Sequence, residues 1–250
     1  MIYAILSGCC GRMGSVIARL CEEREDIKIV AGVDKQDSGL CPFPVYQNIG
    51  NCPYDADVMI DFSHPSCLSS LLNYALEKSL PAVICTTGLS AEQVGEIHRA
   101  SEQIPVFFSA NMSIGVNLLA ALAQKAAAVL GDEFDIEIIE MHHNQKLDAP
   151  SGTALMLADK LNETLDGQMS YTYDRHNVRK KRDKREIGIH AVRGGTITGE
   201  HQVIFAGHDE IITLSHSARS REVFGAGAIS AAVFLPGKPA GLYDMGSLMK

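Results

Sequence analysis

An α/β chain is predicted, with an N-terminal doubly wound (Rossmann-type) parallel sheet and a second α+β domain with a mainly antiparallel or mixed sheet. Three observations predict it. Over the first hundred residues, short and continuously apolar runs alternate with helical patterns. The glycine-rich turn GCCGRMG (8–14) lies between the first such run and the first helical pattern. Beyond Asn111 a long Ala/Leu-rich helix is followed by strand-like runs joined by short turns.

The elements follow in order. IYAIL (2–6) is the first strand, and residues 12–24 form a helix with Met13, Val16, Ile17 and Leu20 on one face. IKIVAGV (27–33), DVMIDFS (57–63), PAVICTT (81–87) and IPVFFSA (104–110) are further strands. Helices fill the intervals near 66–79 and after SAEQ (90–93), a capping box. Apolar strands separated by helices make a parallel sheet covered on both faces. A helix at about 115–130 then leads into FDIEIIEMHH (134–143), which only roughly keeps period two, and into a helix at 151–165. IGIHAVR (187–193), HQVIFAG (201–207) and EIITLSHSA (210–218) read as consecutive antiparallel strands. A helix near 220–234 and the tail GLYDMGSLM close the chain.

Composition is that of a globular protein: 46% hydrophobic and 21% charged over 250 residues. No uninterrupted apolar run reaches about 18–20 residues, so no membrane span is expected, and the first residues have no basic segment typical of a secretion signal. A cytoplasmic location is expected. The net charge of −8 argues against nucleic acid as a partner. RHNVRKKRDKR (175–185) is a local exception, read as a solvated, mobile loop. Seven cysteines, at 9, 10, 21, 41, 52, 67 and 85, include no C-x-x-C, so neither a disulfide framework nor a metal site is expected.

The turn at 8–14 has glycines at 8, 11 and 14, after a strand and before a helix. Glycine lets backbone approach a pyrophosphate, and the helix N-terminus supplies amides and partial positive charge. Asp34, twenty residues past Gly14, is placed to accept from an adenosine ribose. Lys35 beside it can receive a 2′-phosphate, so both NADH and NADPH are expected. Thr86, Thr87, Gly88, Ala110 and Asn111 follow the ends of later strands, where ligands of such sheets lie.

EMHHNQKLDAPSGTA (140–154) carries the second set of groups. Pro150 fits the first turn of a helix, which Asp148 would help cap. The amides of Ser151, Gly152 and Thr153 then face a carboxylate, and Lys146 adds positive charge. His142 and His143 leave a strand on opposite sides, and a histidine suits proton transfer near neutrality. A hydride donor in one domain with a proton donor and anion cradle in the other implies a reductase of a carboxylated substrate. A reductase of another small substrate, a nucleotide sensor and a nucleic-acid protein using 175–185 stay open on these residues alone. A dehydrogenase acting through a thioester would need a cysteine in the second domain, and none follows Cys85.

GCCGRMG, DFSHP, CTTG, SANMSIGVN, RGGTITGEH, GLYDM and above all EMHHNQKLDAPSGTA resemble the dihydrodipicolinate reductase (4-hydroxy-tetrahydrodipicolinate reductase) family of lysine biosynthesis, nearly end to end. The resemblance implies NADH- or NADPH-dependent reduction of a cyclic, doubly carboxylated product of pyruvate and aspartate semialdehyde condensation to tetrahydrodipicolinate. It implies His142 as proton donor/acceptor and Lys146 as proton donor, with His143, Ser151, Gly152 and Thr153 on the substrate carboxylates. It implies Gly8, Gly11, Arg12, Met13, Asp34, Lys35, Thr87, Gly88 and the Ser109, Ala110, Asn111, Met112 turn on the dinucleotide, with Cys85 and Thr86 beside them. It further implies a homotetramer built through the second domain. The dinucleotide domain would comprise 1–112 and 221–250, and the substrate-binding and oligomerisation domain 113–220, with a hinge near 112 and 220. Two features depart from the family pattern: Cys85 stands where glycine is usual, and Cys9 with Cys10 replaces small residues in the glycine loop.

Overall fold

The computed structural model describes residues 1–109 and 111–249. It forms two compact units: Met1–Ile114 with Arg221 onward, and Gly115–Ser220.

The first unit is a seven-stranded parallel sheet: β1 (Ile2–Ser7), β2 (Ile27–Val33), β3 (Val45–Tyr46), β4 (Val58–Asp61), β5 (Ala82–Ile84), β6 (Pro105–Phe108) and, from the end of the chain, β12 (Gly241–Tyr243). Their order is β12-β6-β5-β4-β1-β2-β3, so the chain reverses direction across the sheet between β1 and β4. Period-two side chains sort onto two faces. Ala4, Leu6, Val58 and Ile60 join Ile17 and Cys21 of α1 (Arg12–Glu22) and Ala228, Ile229 and Ala232 of α6 (Glu222–Phe234). On the other face, Ile5, Met59 and Ile84 pack with Leu71, Leu72 and Ala75 of α2 (Leu68–Lys78) and Ile97 and Ala100 of α3 (Ala91–Ser101). Each such Leu or Ile is worth about 1.5–3 kcal/mol of burial. The capping box at Ser90 forms as expected: Ser90 Oγ accepts from Gln93 N while Gln93 Oε1 accepts from Ser90 N.

The second unit begins one residue into α4 (Ile114–Leu130). By length and composition alone, Ile114–Glu133 is apolar enough to cross a membrane. Here it lays Leu119, Ala120, Ala123 and Ala127 into the unit's core, which it shares with Leu157 and Leu161 of α5 (Gly152–Thr164). Its sheet contains β7 (Asp135–His142), β8 (Ser170–Thr172), β9 (Glu186–Arg193), β10 (Gly199–Ala206) and β11 (Ile211–Ala218), in the order β11-β10-β7-β9-β8. It is mixed: β10 is antiparallel to β11 and β7, whereas β7–β9 and β8–β9 are parallel.

The expectation of a run of antiparallel neighbours is corrected here, because β9 and β10 are not paired. β7 lies between them. Its residues alternate strictly between half-buried and buried, placing Ile136 and Ile138 in the helix-covered core. The turn from β9 to β10 passes the end of β7, where Gly194 N donates to His142 O at 2.9 Å.

The basic run is an exposed loop at nine of its eleven residues, as expected, and it is pinned at the other two, both arginines. Arg182 donates to Glu137 Oε1 (3.0 Å), Asp135 Oδ1 (3.1 Å) and three backbone carbonyls, while Arg175 pairs with Glu137 and Glu186. The acidic face of β7 therefore holds the two arginines against the sheet. The last helix, α7 (Met245–Leu248), is capped by Asp244.

Candidate functional site

The first unit carries a cleft beyond the carboxyl ends of its strands, on both sides of Gly11. On one side it is lined by Gly8, Asp34, Lys35 and Asn48. On the other it is lined by Arg12, Met13, Cys85, Thr86, Thr87, Ser109, Asn111 and Met112. Phe62 and Ser63 border both. Gly88, with φ of +75°, lies just past this lining, and Ala110 lies outside the described residues.

Gly8 adopts φ of +76°, and a Cβ there would come 2.5 Å from the Phe62 carbonyl oxygen. A Cβ on Gly14 would collide with the Gly8 carbonyl. The loop is thus closed by backbone against backbone, and only glycine fits at either place. Gly11 is the N-cap of α1 and provides no side-chain cap, which leaves first-turn amides facing outward as an anion site. Asp34 accepts from Cys10 N (3.0 Å) and Lys35 N (2.8 Å), so the carboxylate expected on a ribose also braces the loop. At the other side of the cleft, Thr86 Oγ1 donates to Asp61 Oδ2 (2.7 Å) and Ser63 N to Asp61 Oδ1 (3.0 Å). Asp61 is fully buried and fixes two strand-end turns at once. Ser63 Oγ is buried with no hydrogen-bond partner among the described residues. An orphan hydroxyl, uncapped amides and a glycine-walled turn fit a dinucleotide.

The second unit carries the histidine block. His142 ends β7 and is nearly buried, and its Nδ1 lies 2.6 Å from Glu140 Oε2. Glu140 is fully buried and held from three sides. Arg193 grips it through a two-pronged bond (2.7 and 2.8 Å), Ser151 N donates to Oε1 at 3.0 Å, and His142 takes the remaining position. Burial alone would raise the Glu140 carboxyl, but Arg193, His142 and the Ser151 amide outweigh it and hold it below the usual carboxylate range. A carboxylate only accepts, so His142 Nδ1 carries the hydrogen and Nε2 is the nitrogen left for chemistry.

Ser151, not Asp148, caps α5. Its Oγ accepts from Ala154 N (3.2 Å) and lies 3.0 Å from His201 Nε2. Pro150, after a cis Ala149–Pro150 bond, precedes the cap instead of occupying the first turn. Asp148 pairs with Lys146 (2.8 Å), which lowers the Asp148 carboxyl below its ordinary value. His143 lies on the more open side of β7's end, where its Nδ1 accepts from Gln145 N. The structure therefore gathers His142, Ser151 and the start of α5 around one carboxylate, with Gly152 and Thr153 opening that helix.

Three members of this network escaped the sequence reading: Glu140, Arg193 and His201. His201 sits opposite Glu140 in the β7–β10 ladder, and Arg193 opposite His142 in the β7–β9 ladder. The rings of His142 and His201 meet edge to face at 5.2 Å. Burial first, and then the neighbouring His142, pull the His201 pKa down to about 4, so it is neutral near pH 7. One signal was available: in a strand, an acid two residues before a histidine shares its face. Arg193 Nε is buried without a partner among the described residues, which leaves a donor beside the network.

A doubly wound dinucleotide unit, joined in one chain to a unit with an oriented histidine, a lysine and a serine-capped helix N-terminus, defines a nicotinamide-dependent oxidoreductase. The comparisons with known proteins sharpen that class. Residues 2–112 match "Dihydrodipicolinate reductase, N-terminus" and residues 115–249 match "Dihydrodipicolinate reductase, C-terminus". The 4-hydroxy-tetrahydrodipicolinate reductase of Caldanaerobacter subterraneus subsp. tengcongensis is 53% identical over 250 residues, covering 100% of this chain and 99% of the relative. That of Clostridium tetani is 49% identical over 249 residues, covering 100% and 97%. Among solved structures, a dipicolinate-bound dihydrodipicolinate reductase from Paenisporosarcina sp. TG-14 superposes with a TM-score of 0.81 at 28% identity, covering 98% of this chain and 97% of the other. The chain belongs to the dihydrodipicolinate reductase family. It is an NAD(P)H-dependent oxidoreductase of lysine (diaminopimelate) biosynthesis, reducing the cyclic condensation product of pyruvate and aspartate semialdehyde to tetrahydrodipicolinate.

Proposed function

We propose that His142 and Lys146 deliver the proton of this reduction, and that His143, Ser151, Gly152 and Thr153 hold the carboxylates of a small dicarboxylate substrate. One observation carries the reading: Glu140, gripped by Arg193, fixes the His142 tautomer so that Nε2 exchanges the proton. Glu140 also stabilises the imidazolium while His142 is charged. Lys146, paired with Asp148, supplies a second donor and draws in the anionic substrate. With the Ser151 amide held by Glu140, the first turn of α5 receives a carboxylate at Gly152 and Thr153, with the Ser151 hydroxyl beside them. Dipicolinate, the ligand of the Paenisporosarcina relative, has the carboxylate pair this cradle suits.

In the first unit, Gly8, Gly11, Arg12 and Met13 would hold the pyrophosphate, and Asp34 and Lys35 the adenosine ribose of NADH or NADPH. Cys85, Thr86, Thr87, Gly88, Ser109, Ala110, Asn111 and Met112 would border the nicotinamide. The nicotinamide, when bound, supplies the hydride.

The family resemblance supports a homotetramer. One face of the second sheet supports it too: Ile139, Met141, Val192 and Ile204 lie opposite the helix-covered side, and none is fully buried. Seven reduced cysteines support a reducing, cytoplasmic compartment.

Titrating dipicolinate into the full chain tests the substrate side. Lys146→Ala is expected to weaken it by about tenfold or more, the usual scale for losing one charge-assisted contact of 1.5–3 kcal/mol. Equal affinity in the variant would remove Lys146 from the site.

A further inference from the structure

The glycine loop contains a cluster that the reduction does not use. Cys9 and Cys10 meet Cys41, which the segment after β2 brings back over the loop. Cys9 Sγ and Cys10 Sγ are 3.9 Å apart, as are Cys10 Sγ and Cys41 Sγ, and all three sulfurs lie within 4.8 Å of one another. The spacing 9, 10, 41 matches no metal motif, so only the fold discloses the cluster.

Magnitudes decide what the cluster suits. Tetrahedral zinc with bonds of about 2.3 Å spaces its thiolates about 3.8 Å apart, within a tenth or so of both measured pairs. Only Cys41 and Cys9 must draw together, by less than about 1 Å on the same geometry. Cys10 and Cys41 are half-buried beside the cleft lined by Asp34, Lys35, Asp37 and Ser38, so an ion has an entry path.

We propose that Cys9, Cys10 and Cys41 bind one thiophilic divalent cation, zinc above all, through three thiolates with a fourth position open to water. Binding exchanges three thiol protons for the ion and turns three neutral groups into a complex of charge −1. The new charge forms one residue from Gly11, the N-cap of α1. Resting on the reading of that loop as the pyrophosphate site, the ion opposes dinucleotide binding by like-charge repulsion, and the dinucleotide opposes the ion equally.

The test uses the full reduced chain, freed of cofactor and reductant without air. Cobalt(II) is added as a spectroscopic probe and zinc is followed by calorimetry. One ion per chain and a thiolate-to-cobalt charge-transfer band are expected. Even groups that merely support metal ligands are worth about tenfold in affinity, so Cys41→Ser is expected to lose at least that much and part of the band. Cys67→Ser is expected to bind as the parent does. Cys9 is buried, and should its variant fail to fold, Cys10→Ser and Cys41→Ser still decide the matter. No charge-transfer band in the parent, or an undiminished one in Cys41→Ser, would overturn the site. With zinc bound, NADH should bind several-fold more weakly; equal NADH affinity would overturn the coupling. A chain that binds the ion but no NADH even without metal would instead overturn the reading of the loop.

Discussion

At the residue scale, the site is organised around one buried carboxylate. Glu140 accepts from Arg193, Ser151 and His142, so each partner restrains the others. The signature residues His142, Lys146 and Ser151 were legible because they lie within ten residues of one another. Glu140, Arg193 and His201 were not, because strand pairing brings 193 and 201 to the site. Two predictions belong here. His201 refuses a proton that the unfolded chain accepts: its pKa falls from 6.5 to about 4. Stability therefore declines as pH falls from about 6.5 towards 4, by up to about 3 kcal/mol at 1.36 kcal/mol per unit. His201→Gln should flatten that part of the stability curve, as measured by urea unfolding at several pH values; an unchanged slope would place the titration elsewhere. Asp34→Ala should weaken NADH more than NADPH, because Lys35 still meets a 2′-phosphate. Equal losses in direct binding would count against a ribose contact and leave Asp34 only its bond to Cys10 N.

At the element scale, the N-terminus of α5 joins stability to binding. Ser151 caps the helix, presents its amide to Glu140 and meets His201. Ser151→Ala should lose about 1 kcal/mol of stability from the cap. It should also bind dipicolinate more weakly, and a stability loss with full affinity would confine Ser151 to the fold. Long apolar strands and the Ser90 capping box could be read directly, since periodicity and capping are local. β3, β8 and β12 were missed, because two or three residues are too few to show alternation. The place of β7 between β9 and β10 was also hidden, because short connections suggest neighbours and the turn at Gly194 instead passes over a strand end.

At the scale of the whole molecule, each compact unit ends in one candidate site. The parallel sheet ends in a glycine-walled cleft, and the mixed sheet ends in an oriented histidine beside a helix terminus. The amino-acid order showed both parts, since each rests on a contiguous motif, and it showed the family through those motifs together. It did not show the thiol cluster, whose third member, Cys41, stands 31 residues beyond Cys10 in the chain. The most direct test of the account is steady-state reduction of the pyruvate–aspartate semialdehyde condensation product by the parent and by His142→Gln, followed by loss of reduced nicotinamide. Loss of a proton donor predicts that kcat falls roughly 100-fold or more while KM changes little. A variant that turns over like the parent would contradict the account, because the proton would then come from a group other than the one Glu140 holds in place.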